Sequence, residues 1–350
     1  LLARGREPDA AGAKLPDLGA ASRELFEALI PAAVWQRLRT QRRVFVAGHR
    51  DLHRVPFELL VIGTREGVPV YWLDEGPEVA YVPSGSALHW LRRRPAGNTP
   101  ARLDVLAIGD PGLDGATTAA SQEPGRKPSV LATPAVNRGP GDFQRHDDLE
   151  RLSRLPRLQG ARAEAEAIVA AFRGKERPAE LLLGDAATEP AVFARAATAR
   201  YLHFACHGVA EEYAGQSLSM LVLAAPTQVA PGDDGLLKLT DLFGAWRGRL
   251  AACRLVVLSA CRTNVGPTLR DEAPQALPLG FLFAGVRAVI SSLWAVDDAS
   301  TRELMVAFYQ RLAAGGTDPL GAFTAARKAL RAKYPDPFHW APFLFLGLPE

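Results

Sequence analysis

Short apolar runs alternate with helical patterns along most of this chain, and this alternation limits its fold more than any other feature. Four runs, at 201–206, 220–224, 255–259 and 288–294, are too apolar for half-exposed strands and predict strands buried on both faces. Strands that alternate with helices favour a mostly parallel sheet with helices on both faces, which is an α/β fold. Further short strands are predicted at 44–47, 56–62, 68–72, 103–108, 181–183 and 343–346.

Helical spacing of apolar residues predicts helices at 22–39, 161–172, 190–198, 239–246, 276–284, 301–312 and 320–332. The longest apolar run, 276–296, contains Arg287, and burying an arginine in lipid is costly. We therefore expect a buried helix that stops at Gly285 and a buried strand after it, and no membrane span.

Composition narrows the classes of protein to consider. The chain has 350 residues, enough for two lobes or for one large α/β domain. Its 41 Lys and Arg against 38 Asp and Glu give no reason to expect a nucleic-acid or membrane-surface protein. Three cysteines without a CxxC pair favour a reduced, cytoplasmic thiol protein. Residue 1 is not Met and no signal segment follows, so we expect an excised part of a longer polypeptide or a trimmed start.

Chemistry-bearing residues follow two of the predicted buried strands. Strand 201–206 leads into His207 and Gly208, and strand 255–259 leads into Ala260 and Cys261. In α/β sheets functional groups gather at the carboxyl ends of the strands, so a thiol and an imidazole meet there if the two strands are neighbours. A cysteine with a base in reach and backbone N–H donors nearby is the arrangement for nucleophilic catalysis. For each residue taken alone, an inert packed group is the competing interpretation.

A zinc site formed by His203, Cys206, His207 and Cys253 is the alternative use of these residues. On a strand, Cys206 points to the face opposite His207, and the chain has no HExxH helix. We therefore interpret His203 as a packed group behind the site and both cysteines as core. The chain also lacks a P-loop and a GxGxxG fingerprint, so we expect neither a metal nor a cofactor.

A third group of residues completes the predicted site. Strand 288–294 leads to Asp297 and Asp298 at the start of a helix, where carboxylates act as caps. We expect one of the two to be a cap and the other to bind a basic substrate side chain. Ser292, Leu293 and Trp294 are predicted to offer a strand edge on which an extended peptide adds hydrogen bonds.

The blocks HFACHG, LVVLSACRT, GVRAVISSLWAVDD and PFHWAPFLFLG resemble the C-terminal half of a CHAT domain. HRDLHRVPFELL, YVPSGSALHWL, LAIGDPGL and LPRLQGARAEAEAI resemble its earlier blocks in order, so the resemblance runs from about residue 40 to the end. CHAT domains are bacterial caspase-like peptidases, often joined to TPR repeats and related to separase. The His207 to Cys261 separation also agrees with the spacing of about 50 residues in caspases.

The resemblance implies the caspase-like variant of the α/β fold, with His207 and Cys261 as catalytic dyad and the N–H groups of Gly208 and Cys261 as oxyanion hole. It implies a pseudo-catalytic N-terminal lobe at 1–110, a flexible or disordered loop at 111–148 and a catalytic lobe at 149–350. The loop assignment also rests on the five Pro and five Gly within it.

By the same resemblance, Asp298, with Asp297, lines a pocket for a basic residue before the cleaved bond. The expected function is that of a cysteine endopeptidase acting as a regulated effector in bacterial defence or cell death. Its substrate is expected to be a protein, a bacterial gasdermin for example, and a partner or a TPR region is expected to activate it. A catalytically silent CHAT-like scaffold that only binds partners is the alternative.

Overall fold

The computed structural model describes residues 17–94, 100–113, 155, 157–213, 216–225, 233–259, 276–294 and 296–349. Its strands are β1 (Arg43–Val46), β2 (Val61–Arg65), β3 (Val68–Tyr71), β4 (Glu78–Tyr81), β5 (Leu103–Pro111), β6 (Ala179–Gly184), β7 (Ala199–Ala205), β8 (Gly208–Tyr213), β9 (Gln216–Val222), β10 (Leu236–Leu237), β11 (Leu255–Leu258), β12 (Ala288–Ser292) and β13 (Phe343–Gly347).

Its helices are α1 (Leu18–Leu29), α2 (Ala32–Leu38), α3 (Trp72–Glu75), α4 (Gly85–Arg93), α5 (Gln159–Arg173), α6 (Glu189–Ala196), α7 (Leu239–Phe243), α8 (Ala276–Ala284), α9 (Asp298–Ala314), α10 (Pro319–Lys333) and α11 (Pro337–Trp340). Short 3₁₀ turns at Arg50–Arg54 and Phe57–Leu59 precede β2.

An eight-stranded sheet organises these elements, in the order β1-β4-β13-β12-β11-β7-β5-β6. Neighbouring strands are parallel except β12 and β13, which are antiparallel. The sheet therefore has two parallel blocks that run in opposite directions. β12, β11, β7, β5 and β6 form one block, and the carboxyl ends of its strands share one edge.

Alternating residues of the central strands build a separate core on each face of the sheet, as the period of two in a strand requires. Leu202, Phe204 and Val256 pack with α1, α4, α6, α7 and α8 on one face. Tyr201, Val257 and Ile290 pack with α5, α9 and α10 on the other. Burial on both faces explains why these strands are continuous apolar runs and confirms the predicted mostly parallel α/β architecture.

Several predicted elements differ from the structure. The helix predicted at 22–39 is two helices, because Pro31 has no N–H to donate and lies at the N-cap of α2. Residues 57–59 form a 3₁₀ turn rather than part of a strand. The strand predicted at 220–224 is β9, which pairs antiparallel with β8 and β10 in a separate three-stranded sheet instead of joining the parallel sheet. β4 and β8 were not predicted.

The predicted boundary near residue 110 does not separate two sheets, because β1, β4 and β5 hydrogen-bond with strands from the later part of the chain. The N-terminal strands β1 and β4 belong to the block that runs opposite to β7 and β11. Of the predicted loop at 111–148, the residues from 114 onward lie outside the described part of the chain.

The apolar run at 276–296 forms a helix and a strand, as predicted. α8 ends at Ala284, and Gly285 has a φ of +124°, a conformation that residues with a Cβ rarely adopt. A Cβ on Gly285 would also lie 2.7 Å from the backbone nitrogen of Ala251. Among the helices that the structure describes, none has both the length and the apolar character needed to cross a membrane.

Candidate active site

His207 lies just beyond the carboxyl end of β7 and is half-buried. Its carbonyl oxygen accepts a hydrogen bond of 2.9 Å from the Val222 N–H, which fixes the backbone at the start of β8. β7 ends at Ala205, Cys206 and His207 follow it, and the chain then enters the β8–β9 hairpin at Gly208. The backbone that carries the imidazole is therefore fixed by β7 before it and by the hydrogen bond to Val222 after it.

β11 is the direct neighbour of β7, and the two strands are parallel and end at the same level. Leu258 pairs with Phe204, and the Ser259 N–H donates to the Phe204 carbonyl oxygen at 2.9 Å. The adjacency of these strands, on which the predicted dyad depends, is therefore present. Cys261 itself lies two residues beyond Ser259 and outside the described residues.

Gly208, a predicted oxyanion-hole residue, opens β8 opposite Leu221. Hydrogen-bonded and non-hydrogen-bonded pairs alternate along an antiparallel ladder. Because Val222 donates to His207, the next pair, Gly208 with Leu221, is a non-hydrogen-bonded pair, and the Gly208 N–H points away from β9. This orientation leaves the N–H unused by the hairpin, as an oxyanion donor requires.

The thiols of Cys206 and Cys253 are buried in the core, as predicted. Burial raises the pKa of each to about 12, so neither thiol forms a thiolate at neutral pH. Cys206 packs in the core on one face of the sheet, whereas His203 faces the other. Within the ranges described, no three His, Cys, Asp or Glu side chains are grouped so as to hold a metal ion.

His203 is the packed group that the sequence predicts, and its partner was not anticipated. Its Nε2 lies 2.8 Å from Oε1 of Glu164 on α5, and both side chains are buried. The ring also contacts Tyr309 of α9 edge to face, with 5.3 Å between ring centroids. His203 therefore joins β7 to α5 by a polar contact and to α9 by a ring contact, four residues before His207.

Asp297 and Asp298 have different roles. Asp297 is the N-cap of α9 and accepts a hydrogen bond of 2.9 Å from the Ser300 N–H, which lowers the pKa of the Asp297 carboxyl. The Asp298 side chain is exposed and lies beside Gly160 of α5, with Oδ2 3.7 Å from the position of a Cβ on that glycine. Asp297 is thus the predicted cap, although both side chains are exposed.

The predicted peptide-binding edge at 292–294 is already paired on one side. Ser292 pairs with Phe343 of β13, and the Leu293 N–H donates to the Pro342 carbonyl oxygen at 2.8 Å. Trp294 is buried and its indole N–H donates to the Phe338 carbonyl oxygen at 3.4 Å. On this side β13 therefore already uses the backbone groups that the prediction assigned to a peptide.

A charged cluster at the end of β5 was missed. Asp110 is buried, has a φ of +44°, and accepts hydrogen bonds from Arg157 at 2.7 Å and from Arg162 at 3.3 Å. Burial alone would raise the pKa of Asp110, but the hydrogen bonds from Arg157 and the Leu158 N–H outweigh it and lower the pKa. Since β5 adjoins β7, this cluster lies at the same edge as His207. The sequence signal was the Gly109-Asp110-Pro111-Gly112 turn, part of the LAIGDPGL block, in which no role was predicted for Asp110.

Three solved structures resemble this chain in fold to different degrees. Gingipain R, an Arg specific cysteine proteinase, matches with a TM-score of 0.52 at 10% identity, covering 97% of this chain and 68% of that chain. The complex of RgpB pro- and mature domains from Porphyromonas gingivalis gives 0.50 at 11% identity, covering 97% and 70%. A chain of the Saccharomyces cerevisiae separase–securin complex gives 0.47 at 14% identity, covering 87% and 15%.

No curated protein sequence matches the chain. The likeness to gingipain, at this identity, concerns the fold alone and agrees with a caspase-like α/β sheet. The family model of the CHAT domain matches residues 19–348. Since that match covers nearly the whole sequence, the chain belongs to the CHAT domain family.

Proposed function

We propose that this chain is a cysteine endopeptidase in which Cys261 is the nucleophile and His207 the base. The observation that carries the proposal is the pairing of β7 with β11, in parallel and with the Ser259 N–H on the Phe204 carbonyl oxygen. It brings the segments that continue into His207 and Cys261 to one edge of the sheet. The peptidase fold and the CHAT family membership support the same function.

The reaction uses groups of this chain alone. His207 accepts the proton of the Cys261 thiol, and the thiolate attacks the carbonyl carbon of the scissile peptide bond. The N–H groups of Gly208 and Cys261 donate to the oxyanion that forms. His207 then protonates the leaving amine, the C–N bond breaks and a thioester remains. A water molecule gives its proton to His207 and hydrolyses the thioester, which restores the thiol.

For substrate preference, we propose a basic residue before the cleaved bond, bound by the Asp298 carboxylate with Asp297 beside it. Asp298 is exposed at the start of α9, beyond the carboxyl end of β12, whereas Asp297 is engaged as a cap. The arginine specificity in the description of gingipain R is that protein's own, and it agrees with this proposal for the present chain. We include Ser292, Leu293 and Trp294, which shortly precede Asp297 in the chain, in the proposed substrate-binding surface, although β13 occupies one side of this segment.

We further propose that the substrate is a protein, a bacterial gasdermin being one example, and that the enzyme is a regulated cytoplasmic effector of bacterial defence or cell death. Control by an activating partner or a TPR region belongs to the same proposal. These roles follow from the family and from the cost that unregulated proteolysis would have for a cell.

Cleavage of a peptide library tests the proposed activity. We expect cleavage after Arg or Lys, a loss of activity of about 10⁴-fold or more in Cys261→Ala and in His207→Ala, and retained activity in Cys206→Ala, whose thiol is buried. The assay includes an N-terminally extended form of the chain, so that an activating region is present.

Iodoacetamide labelling distinguishes an enzyme from a silent scaffold. An activated Cys261 is labelled much faster than Cys206 and Cys253, whose pKa of about 12 keeps them as thiols. Slow and equal labelling of all three, together with no cleavage, would support the scaffold that only binds partners.

A further inference from the structure

Three exposed aromatic side chains form a continuous aromatic patch, which we define as Trp90 of α4, Phe243 of α7 and Phe283 of α8. They are 45%, 44% and 55% exposed. The Phe283 ring lies 6.0 Å from the Trp90 ring and 5.1 Å from the Phe243 ring, measured between centroids. Single exposed apolar residues are normal on proteins, but three helices that direct aromatic rings into one contact are not explained by chance exposure.

Local packing does not require Phe283 to be apolar. α8 is buried almost all around, with Leu277, Phe281 and Leu282 in the core, and Phe283 is the position that faces outward. A polar residue there would keep the helix and lower the exposed apolar area. The aromatic choice therefore indicates a surface that is covered when a partner binds.

Positive charge lies beside one end of the patch. Arg93 and Arg94 come three and four residues after Trp90, at the end of α4. Arg287 donates from Nη1 to the Arg94 carbonyl oxygen at 3.2 Å. The chain as a whole is close to balanced, with 41 basic and 38 acidic residues, so this concentration of arginines is local. Asp241, two residues before Phe243, directs its carboxylate to the Lys238 N–H at 2.7 Å.

The guanidinium of Arg94 is held in a fixed position beside the patch. Its guanidinium lies 5.1 Å from the Trp90 ring and donates to the carbonyl oxygens of Leu282, Gly285 and Val286. Burial and the neighbouring charge of Arg287 lower the pKa of Arg94. The cation is thus held by carbonyl dipoles beside the aromatic rings, where a carboxylate from a partner would improve its surroundings.

We propose that the aromatic patch binds an acidic protein segment with large apolar side chains, such as an amphipathic helix that presents Phe or Leu between Asp and Glu. Its apolar side chains pack on the three rings of the patch. Its carboxylates pair with Arg93 and Arg94 at the end of α4, because the planar guanidinium group binds carboxylates in bidentate fashion. A net charge of only +3 does not favour a long polyanion, whereas a short acidic segment needs only local cations.

The patch is separate from the candidate active site. Phe283 lies at the end of α8, just before the amino end of β12, whereas His207 follows the carboxyl end of β7 in the same parallel block. A partner on the patch therefore leaves the substrate cleft open. Variants at the patch test binding without altering the proposed catalytic residues.

Selection of a random peptide library displayed on phage, using this chain as bait, tests the proposal. We expect recovered peptides to be rich in Asp and Glu and to carry two or more Phe, Leu or Trp at helical spacing. We expect Phe283→Ser to weaken a recovered peptide by about tenfold or more, as the loss of a central aromatic anchor does. Arg93→Glu and higher salt should weaken it too, whereas Val68→Ser, at an exposed apolar residue on β3, should not.

Failure to recover acidic peptides, or recovery of peptides that bind Phe283→Ser equally well, would overturn the proposal. It would also be overturned if Phe283 were required instead for binding phosphatidylserine vesicles, for binding oligo(dT), or for self-association in sedimentation experiments. Thermal unfolding of each variant shows whether it is folded, and peptidase activity with small substrates should be the same in Phe283→Ser as in the parent chain.

Discussion

Asp297 and Asp298, adjacent at the start of α9, make different contacts although both are aspartates. Asp297 accepts the Ser300 N–H, and Asp298 points outward beside Gly160. The sequence predicted that one of them would be a cap but did not identify which, because both positions satisfy the pattern of a helix start. The backbone geometry determines which one is the cap, because only the side chain of the residue before the first turn reaches the free N–H groups of that turn.

Substituting each aspartate in turn should separate stability from specificity. Asp297→Ala is expected to lower the free energy of unfolding by about 1 kcal/mol, because it removes the cap of α9. Asp298→Ala is expected to leave the unfolding midpoint almost unchanged and to abolish cleavage after Arg. Urea unfolding and cleavage of matched peptides with Arg or Ala before the scissile bond measure the two effects. Unchanged cleavage after Arg in Asp298→Ala would contradict the acidic pocket.

Glu189, at the start of α6, makes the stability of the fold depend on pH. Burial and the nearby carboxylates of Asp241, Asp234 and Asp233 raise the pKa of Glu189 to about 8, from an ordinary value of 4.5. The folded state therefore holds a proton that the unfolded state releases, so this residue makes folding less favourable as the pH rises from about 4.5 to about 8.

Glu189→Gln removes that titration. We expect the variant to be more stable than the parent chain at pH 8, by roughly 2 to 4 kcal/mol, and similar to it near pH 4.5. Urea unfolding across this pH range measures the difference, with the exposed Glu24→Gln as control. A parallel pH dependence in the parent chain and Glu189→Gln would show that another group is responsible.

At the scale of elements, a buried polar network joins the early and late parts of the chain. Arg327 of α10 pairs with Glu58 of the 3₁₀ turn and donates to the Trp340 carbonyl oxygen at 3.0 Å. Glu58 also accepts the Tyr81 hydroxyl at 2.6 Å, and Tyr81 accepts the Phe57 N–H. Because these side chains are buried, each depends on its partners to compensate for lost water.

Arg327→Met should leave Glu58 as an uncompensated buried charge. We expect a loss of about 3 to 5 kcal/mol in the free energy of unfolding, and a smaller loss in the double variant Glu58→Gln/Arg327→Met. Arg23→Met, which breaks the exposed Arg23–Glu27 pair, is the matched control and should cost less than about 0.5 kcal/mol. Equal effects for the buried and the exposed pair would contradict this account.

Strands with a clear apolar pattern in their own sequence were predictable. Strands that form only because neighbouring strands pair with them were not. β7 and β11 are continuous apolar runs buried on both faces, so their sequence specifies them, and His207 followed from the end of β7. β4 is four residues long and β8 contains Glu211 and Glu212, so neither has the alternation or apolarity of a predicted strand. The Asp110 cluster was missed because its arginines come 47 and 52 residues later in the chain.

At the scale of the whole molecule, the order of the strands is what the sequence does not reveal. Periodicity identifies an apolar strand at Phe343–Gly347 but does not say that it inserts between β12 and β4. As part of that insertion, the Leu293 N–H donates to the Pro342 carbonyl oxygen, on one side of the segment predicted to bind a peptide. The local pattern of apolar residues indicates which residues are buried. Strand order depends instead on the relative stability of all possible strand pairings in the sheet.

The shared sheet predicts that residues 149–350 do not fold alone. Without residues 1–148, β6 and β7 lose β5, which lies between them, and β13 loses β4. We expect the fragment to bind the dye ANS and to unfold without a cooperative transition. Co-expression with residues 1–113 should restore solubility. A fragment 149–350 that unfolds cooperatively and cleaves peptides would show instead that the catalytic lobe is independent.

The position of β13 also sets the timing of folding on the ribosome. β4 is complete once residue 81 has been synthesised, and its neighbour β1 precedes it, but its other neighbour, β13, is complete only at Gly347. At about 5 to 20 residues per second, β4 waits for its partner for on the order of tens of seconds. A growing polypeptide therefore cannot join its two parallel blocks during that interval, and translation itself delays completion of the sheet that carries His207.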